Sequence, residues 1–364
     1  MRQNEIHVIY GRANIAEMAQ ELMTQMAVAD TLKPNMRIAL KPNFVIPSPA
    51  DQGATTHPEI AEGVLRYFYD RGFRNLAIME SSWAGQRNTE DAFRICGYEA
   101  LAKEYRAKFY DLKKDATVER TVDGQTLRIC RKPLLETDYL IDLPVLKAHC
   151  QTRMTCALKN LKGCIPDSEK RRFHRLGLIK PIACLAKALP VHLIIVDAIC
   201  GDLTFEEGGH PVPMDRLIGG IDPVLVDSYG ASLLGFGVQD IKYLTLAEKL
   251  GVGSTDLNSA VIREHHLEAR NDNIFAPNDI AGRLAQNVTA DAACSVCYGG
   301  LIHALQRLAD NGKRPTQTIC IGQGFRGHEE KGIGIGNCTA KFRPHLPGCP
   351  PSAKEIVDFL SSRI

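Results

Sequence analysis

The sequence predicts an α/β fold: a mainly parallel sheet covered by helices, with a projecting β-hairpin and a small C-terminal cysteine-rich α/β unit. Three observations carry this expectation. From Met36 onward, apolar strand-like runs alternate with segments of helical periodicity, the pattern of βαβ units. Around Asp123-Gly124 the period switches to two, and Asp-Gly is a strong signal for a two-residue hairpin turn. Five of the twelve cysteines lie beyond residue 290, and two of them, Cys338 and Cys349, sit in loops bounded by glycine or proline.

Taken in order, Met36–Leu40 reads as a strand, Pro58–Arg71 as an amphipathic helix opened by proline, and Asn75–Met79 as the next strand. A helix over Asp91–Arg106 and a strand over Lys108–Leu112 follow, then the hairpin Ala116–Arg131 and a strand at Tyr139–Leu143. Helices are expected at Thr152–Leu161, Ile179–Leu189 and Val224–Leu234, and strands at His192–Val196 and Leu217–Ile221. Gly251–Pro277, with Glu264-His-His266 and Asn271-Asp-Asn273, reads as a linker or loop-rich connection. A helix after Cys297, a strand at Thr318, a glycine loop and a closing helix from Ser352 end the chain. The implied domains are 1–250, an α/β core with a basic pocket; 251–284, the connection; and 285–364, a metal unit.

Composition narrows the function classes. Apolar residues at 45% and charged residues at 24% are ordinary for a soluble globular chain, and a net charge of +2 gives no general attraction to nucleic acid or membrane. No apolar run approaches the length that spans a bilayer. The N-terminus lacks the layout of a signal peptide, so a cytoplasmic location is expected. A chain this large needs no disulfide staples, and a reducing compartment keeps its thiols free.

Cys294 and Cys297 form a C-x-x-C pair, Cys338 follows the run Gly332-Ile-Gly-Ile-Gly336, and Cys349 sits in Gly348-Cys-Pro-Pro351. Four such thiolates suit an iron–sulfur cluster, here a [4Fe-4S] cluster, because glycines let backbone N–H groups approach the sulfides. Zinc is the alternative, since four thiolates also close a tetrahedron. Cys320, inside Thr318-Ile-Cys-Ile321, reads as core.

Ligands of open α/β sheets gather at strand ends, which points to Lys41-Pro-Asn43, Glu80-Ser-Ser82 and Lys147-Ala-His149, with Thr55-Thr-His57-Pro58 at a helix N-terminus. From Lys147 to Arg175 eight cations stand against Asp167 and Glu169, so a small anionic substrate or an acidic partner is expected there. Cys150, Cys156 and Cys164 lie in this electropositive run, where positive neighbours favour a thiolate, yet each also fits a small buried side chain. Asp197, Asp202, Glu206, Glu207, Asp222 and Asp227 with His210 form an acidic set that could bind a divalent cation or cap helices. Neither a dinucleotide fingerprint nor a Walker-type loop is present.

Lys41-Pro-Asn-Phe-Val45, Thr56-His-Pro58, Leu143-Pro-Val-Leu-Lys-Ala-His149, Thr155-Cys-Ala-Leu-Lys-Asn-Leu-Lys-Gly163, His174, Val196-Asp-Ala198 and Asp222-Pro-Val-Leu-Val-Asp227 resemble, in order, the signature blocks of domain-of-unknown-function family 362. The resemblance runs from about residue 36 to 235 and implies an iron–sulfur association and one shared pocket lined by Lys41, Asn43, His57, Lys147, His149, Lys159, Asn160 and His174. The ferredoxin-type cysteine run of many relatives is absent, and a lysine of the family's Pro-Lys-Leu-Lys-Thr-His block is lost at Val145.

The expectation is a redox enzyme or electron-transfer protein, an oxidoreductase or a lyase. Lys147, His149 and His174 are its candidate catalytic residues. Lys41, Asn43, His57, Lys159, Asn160 and Lys162 would bind a small anionic substrate, and Cys294, Cys297, Cys338 and Cys349 would hold the cluster. A redox partner protein fits the same reading. The other reading is a binding module without chemistry, recognising an anion or a partner and carrying structural zinc.

Overall fold

A computed structural model of the chain describes residues 1–83, 89–204, 206, 208–266, 280–328 and 330–363. Glu207 and the stretch Asn271-Asp-Asn273 lie outside the described residues. Two compact units are present: Met1–Lys170 with Ile179–Pro277, and Arg171–Leu178 with Asn278–Ile364.

The first unit is built on β1 (Glu5–Tyr10), β2 (Ile38–Pro42), β3 (Leu76–Glu80), β4 (Lys108–Asp111), β5 (Thr117–Val122), β6 (Gln125–Cys130), β7 (Tyr139–Leu143), β8 (Lys147–His149), β9 (Arg153–Thr155), β10 (Leu193–Asp202), β11 (Pro211–Gly220) and β12 (Val261–His266). Eight of these form one sheet in the order β12-β1-β11-β10-β7-β2-β3-β4. Only β11 in this sheet runs against its neighbours; every other adjacent pair is parallel. The α/β expectation is therefore correct, including the hairpin β5–β6, whose turn residues Asp123 and Gly124 take positive φ of 48° and 72°.

Central strands buried on both faces explain why the sequence shows continuous apolar runs rather than alternation. Ile9, Ile195 and Leu217 join the core formed with Leu22, Val64 and Phe68 of the helices Ile15–Gln25 and Pro58–Asp70. Their neighbours Val8, Val196 and Ile218 are equally buried on the opposite face.

Three expectations need correction. Thr152–Leu161 is not one helix: it divides into β9, paired with β8 as a short hairpin, and the turn of helix Ala157–Asn160. β-Branched Thr152 and Thr155 and the positive φ of Arg153 suit the hairpin better than a helix. Glu264-His-His266 is no linker, because β12 pairs in parallel with β1, where Glu264 receives the Tyr10 hydroxyl at 2.8 Å. The expected helix Asp91–Arg106 breaks at Gly97, which takes a φ of +83° between Glu90–Ile95 and Tyr98–Glu104.

The second unit carries a four-stranded parallel sheet of β13 (Val288–Ala290), β14 (Ile319–Ile321), β15 (Ile333–Ile335) and β16 (His345–Leu346), in that spatial order. Helix Ser295–Asp310 packs with helix Ala353–Ser361, whose N-cap Ser352 forms a capping box with Glu355. Cys320 on β14 is buried with Phe325 and Phe342. Among the described residues no helix is long and apolar enough to cross a membrane.

Candidate functional site

At the C-terminal ends of the parallel strands, charged side chains sit where the sheet is otherwise apolar. Lys41 near the end of β2 is fully buried and donates to Glu80 Oε2 of β3 at 2.6 Å and to the Pro42 carbonyl at 2.9 Å. Asp142 of β7 is Lys41's register partner on the adjacent strand. Lys147 can only donate, so its 3.2 Å bond fixes Asn43 Oδ1 as acceptor and turns Asn43 Nδ2 toward Asn160 Oδ1 at 2.7 Å. Asn160 Nδ2 then faces Asp142 Oδ1 at 2.8 Å. A line of buried hydrogen bonds thus joins residues more than a hundred positions apart.

His57 and His149 are held in opposite charge states. The backbone N–H groups of Gln151 and Thr152 both point at His149 Nδ1, at 3.0 and 3.1 Å, so that nitrogen carries a lone pair and Nε2 carries the proton. Burial pushes the His149 pKa down to about 4 against the pull of Glu206, and Lys159 and Lys162 push the same way as burial. Its Nε2–H reaches Glu206 Oε2 at 2.9 Å, while Lys159 Nζ meets the other Glu206 oxygen and Thr155 Oγ1. Burial disfavours the Glu206 carboxylate, yet these donors hold its pKa well below the usual range. For His57, burial lowers basicity, but the Asp197 carboxylate at 2.8 Å from Nδ1 dominates and lifts the pKa to about 11.

The basic run answers its own charge. Besides Glu206 with Lys159, Asp167 takes Lys113 at 2.8 Å and Glu169 takes Arg128 at 3.4 Å. Lys170, buried, donates to Ser81 O, Ser81 Oγ and Ser82 O at 2.6 Å each, and burial lowers its pKa to about 8. An anion entering here competes with carboxylates the chain already supplies.

Asp142 is the costly member of the cluster. Its Oδ2 has no hydrogen-bond partner, and burial raises its pKa to about 8, against the opposing effects of Lys41 and the Asn160 amide. A carboxylic acid here can hold a proton at neutral pH. Gly163 abuts the same cluster: a Cβ on it would lie 1.8 Å from Glu80 Oε1, so only glycine fits.

Lys41, Asn43, His57, Lys147, His149, Lys159 and Asn160 thus belong to one neighbourhood of the first unit, and Lys162 is near enough to act on His149. His174 lies on helix Asp167–Leu176, in the segment grouped with the second unit. Sequence reading missed Asp142, Lys170 as a buried group, and the reach of Glu206 into the cluster. Its usable signal was a charge inside a strand otherwise composed of buried apolar residues.

The acidic set serves caps and ion pairs. Asp222 accepts from Val224 N and Leu225 N, Asp227 from Ala157 N and Leu158 N, and Asp202 from Thr204 N and His210 N. Among the described residues no three His, Cys, Asp or Glu side chains converge on a point that could hold a single metal ion. Cys156 and Cys164 are the small buried side chains of the two readings: both are fully buried, and burial raises their pKa well above the ordinary value despite Lys41 beside Cys164.

In the second unit each parallel strand delivers a polar group beyond its C-terminal end. Cys294 and Cys297 follow β13, Gln323 and Arg326 follow β14, Cys338 follows β15 and Cys349 follows β16. Cys294 is the N-cap of the sixteen-residue helix Ser295–Asp310, and Cys297 lies one turn along the same face. Gln323 Nε2 donates to Cys294 Sγ at 3.5 Å and Arg326 Nε to Cys338 Sγ at 3.4 Å. The Cys338 and Cys349 loops are tied by Asn337, which donates its N–H to Gly348 O and accepts from Gly348 N, both at 2.8 Å. Burial and then the charges of Cys294, Cys349 and Cys338 lift the Cys297 pKa to about 12. A cationic centre among the four sulfurs would remove the repulsion that Cys297 meets there.

This α/β chain, with its buried Lys/His/Asn cluster, belongs to a family defined by sequence alone. The model of the family described as "Domain of unknown function (DUF362)" matches residues 38–232, just over half of the 364 residues, and the chain is a member of it. It is 27% identical over 263 residues to the thylakoid-associated protein sll1697 of Synechocystis sp., a span covering 68% of this chain and 78% of that protein. A crystal structure of a Thermotoga maritima protein aligns at a TM-score of 0.42 and 14% identity, covering 66% of this chain and 61% of that one.

Proposed function

We propose that the protein binds an iron–sulfur cluster through Cys294, Cys297, Cys338 and Cys349, and a small anionic substrate at the Lys/His/Asn cluster of its family domain. The observation that carries the metal reading is the placement of the four cysteines beyond the ends of three parallel strands, with Cys297 within electrostatic range of the other three. A mononuclear zinc site needs sulfurs about 3.8 Å apart, the tetrahedral edge for a Zn–S bond of about 2.3 Å. A cluster makes no such demand, because its thiolates bind separate irons. When bound, such a cluster supplies one-electron chemistry.

The chain's own residues divide the remaining work. Gln323 and Arg326 donate to the sulfurs of Cys294 and Cys338, as the outer hydrogen bonds of a metal centre would. Lys159 and His149 present N–H groups to one carboxylate, that of Glu206, and an anionic substrate would engage the same donors. Asp142, protonated near neutral pH, is the group able to give up a proton, while His149, neutral with its proton on Nε2, offers an N–H hydrogen bond. Oxidoreductase activity and a reducing, cytoplasmic setting for the twelve free thiols belong to this reading.

Iron, acid-labile sulfide and zinc measured on protein purified without oxygen test it. About four irons and four sulfides per chain, lost on Cys294→Ser or Cys349→Ser, support the proposal. One zinc per chain and no sulfide would replace it with the structural-zinc binding module.

A further inference from the structure

The geometry points to a further binding site at the N-terminal ends of β2, β3 and β4, a cavity that takes a phosphomonoester of mononucleotide size. The site belongs to the first unit alone and does not rest on the cluster reading.

The cavity follows from the strand register. Ala39 of β2 pairs with Ala77 of β3, Ala77 pairs with Lys108 of β4, and two positions along Met79 pairs with Tyr110. Side chains alternate along a strand, so these residues share one face of the sheet, whereas Ile38, Leu76 and Ile78 point the other way into the helix-covered core. Two neighbouring alanines leave the first face low where larger side chains stand around them. The hollow measures about 380 Å³. That is room for about a dozen waters, and it lies within the range of small-molecule sites.

Its rim is cationic. Arg37, Arg74, Arg106, Lys108 and Lys132 line it against two carboxylates, Glu136 and Asp138. Both carboxylates are satisfied by their own neighbours. Asp138 accepts from Arg37 through Nη2 at 2.7 Å, Nε at 3.0 Å and the backbone N–H at 2.8 Å, and Glu136 takes Arg131 at 2.9 Å and Lys132 at 3.2 Å. Among the described residues, the side chains of Arg106 and Lys108 have no hydrogen-bond or ion-pair partner. Arg74 is held in place without being neutralised. Its Nη1 donates to Tyr69 O at 2.7 Å and Phe73 O at 2.9 Å, and its guanidinium lies 4.0 Å from the centroid of the Tyr69 ring. Arg74 and Arg106 each stand two residues before adjacent parallel strands whose axes lie about 4.8 Å apart, which brings the two residues side by side.

A phosphomonoester loses its second proton near a pKa of about 6, so at neutral pH it brings close to two negative charges and three acceptor oxygens. Arg74, Arg106 and Lys108 match that demand with charged donors that no carboxylate of the rim occupies. The floor of Ala39, Ala77, Met79 and the Tyr110 ring gives a bare ion nothing to bind, and it suits an apolar or aromatic body joined to the phosphate. Lys132, bonded to Glu136 and 4.5 Å from the Tyr110 ring centroid, closes one side. The cavity opens at the strand ends opposite those that carry the Lys/His/Asn cluster, so its ligand does not enter that cluster.

The test is isothermal titration calorimetry of the full chain at neutral pH and low salt, with 5′-AMP, 5′-UMP, adenosine and inorganic phosphate. The expected result is one nucleotide bound per chain, at least about tenfold more tightly than adenosine or phosphate, and weakened about tenfold by Arg106→Gln and by Lys108→Gln. Arg106 and Lys108 are exposed, so both variants keep the fold, and their circular dichroism spectra check it. Arg120→Gln, at an exposed arginine of the hairpin, should leave affinity unchanged. No heat from either nucleotide up to about 1 mM would overturn the inference. So would affinity that neither Arg106→Gln nor Lys108→Gln alters, or phosphate binding as tightly as the nucleotides, which would mark an adventitious ion only.

Discussion

Gly163→Ala should destabilise the first unit out of proportion to the methyl group it adds. The new Cβ would sit 1.8 Å from Glu80 Oε1 and 2.6 Å from its carboxyl carbon, so the carboxylate must move. Glu80 is nearly fully buried, bonded to Lys41 Nζ at 2.6 Å and to Ser81 N at 2.7 Å, and any shift loosens both. Overpacking alone costs about 1–3 kcal/mol, and breaking a buried ion pair about 3–5 kcal/mol, so a loss of about 3–5 kcal/mol is expected rather than the sum of terms that share one displacement. Gly72→Ala is the control: its φ is +84° but nothing lies within 4 Å of an added Cβ, so only backbone strain of about 1–2 kcal/mol applies. Urea midpoints of both variants measure the difference. A cycle with Lys41→Met then assigns the cause, since the penalty of Gly163→Ala should shrink by about 1–3 kcal/mol once Lys41 no longer needs Glu80. A Gly163→Ala midpoint no lower than that of Gly72→Ala, or full additivity in the cycle, would refute the reasoning.

Asp142 has a folded pKa raised from the ordinary 3.8 to about 8, so the native state keeps a proton that the unfolded chain has lost. Stability from this group is present below pH 4 and declines toward pH 8. Asp142→Asn should therefore gain on wild type by about 1.4 kcal/mol per pH unit between pH 5 and 7, and a constant difference in urea midpoints would contradict this. Lys159→Met leaves Glu206 buried with the His149 N–H alone and should cost about 3–5 kcal/mol, with Glu206→Gln in the same chain recovering much of it. A single-variant cost below about 1 kcal/mol would place the pair in solvent instead.

Much of the fold was legible because parallel strands buried on both faces write continuous apolar runs, as at Leu40, Ile78 and Ile141, and because Asp123-Gly124 names its own turn. The N-terminal strand Glu5–Tyr10 was not recognised, and its buried Glu5 and His7 show why: their partners, Arg263 and His265, lie 258 positions away on β12. Thr152–Leu161 misled because a short hairpin followed by one helical turn mimics helical periodicity. In the site, Lys41, Asn43, Lys147, His149 and Lys159 could be named from strand ends and family blocks. Their electrostatics could not, since the anions that meet Lys41, His149 and Lys159 are Glu80 and Glu206, placed there by tertiary structure. For the same reason the local excess of cations overstated the attraction for an external anion.

The most direct measurement is the visible and low-temperature electron paramagnetic resonance spectrum of anaerobically purified protein before and after dithionite. A broad visible absorption that bleaches on reduction, with a paramagnetic signal lost in Cys338→Ser and Cys349→Ser, is the predicted result. A spectrum without visible absorption, unchanged by dithionite in protein never exposed to oxygen, would contradict the iron–sulfur account.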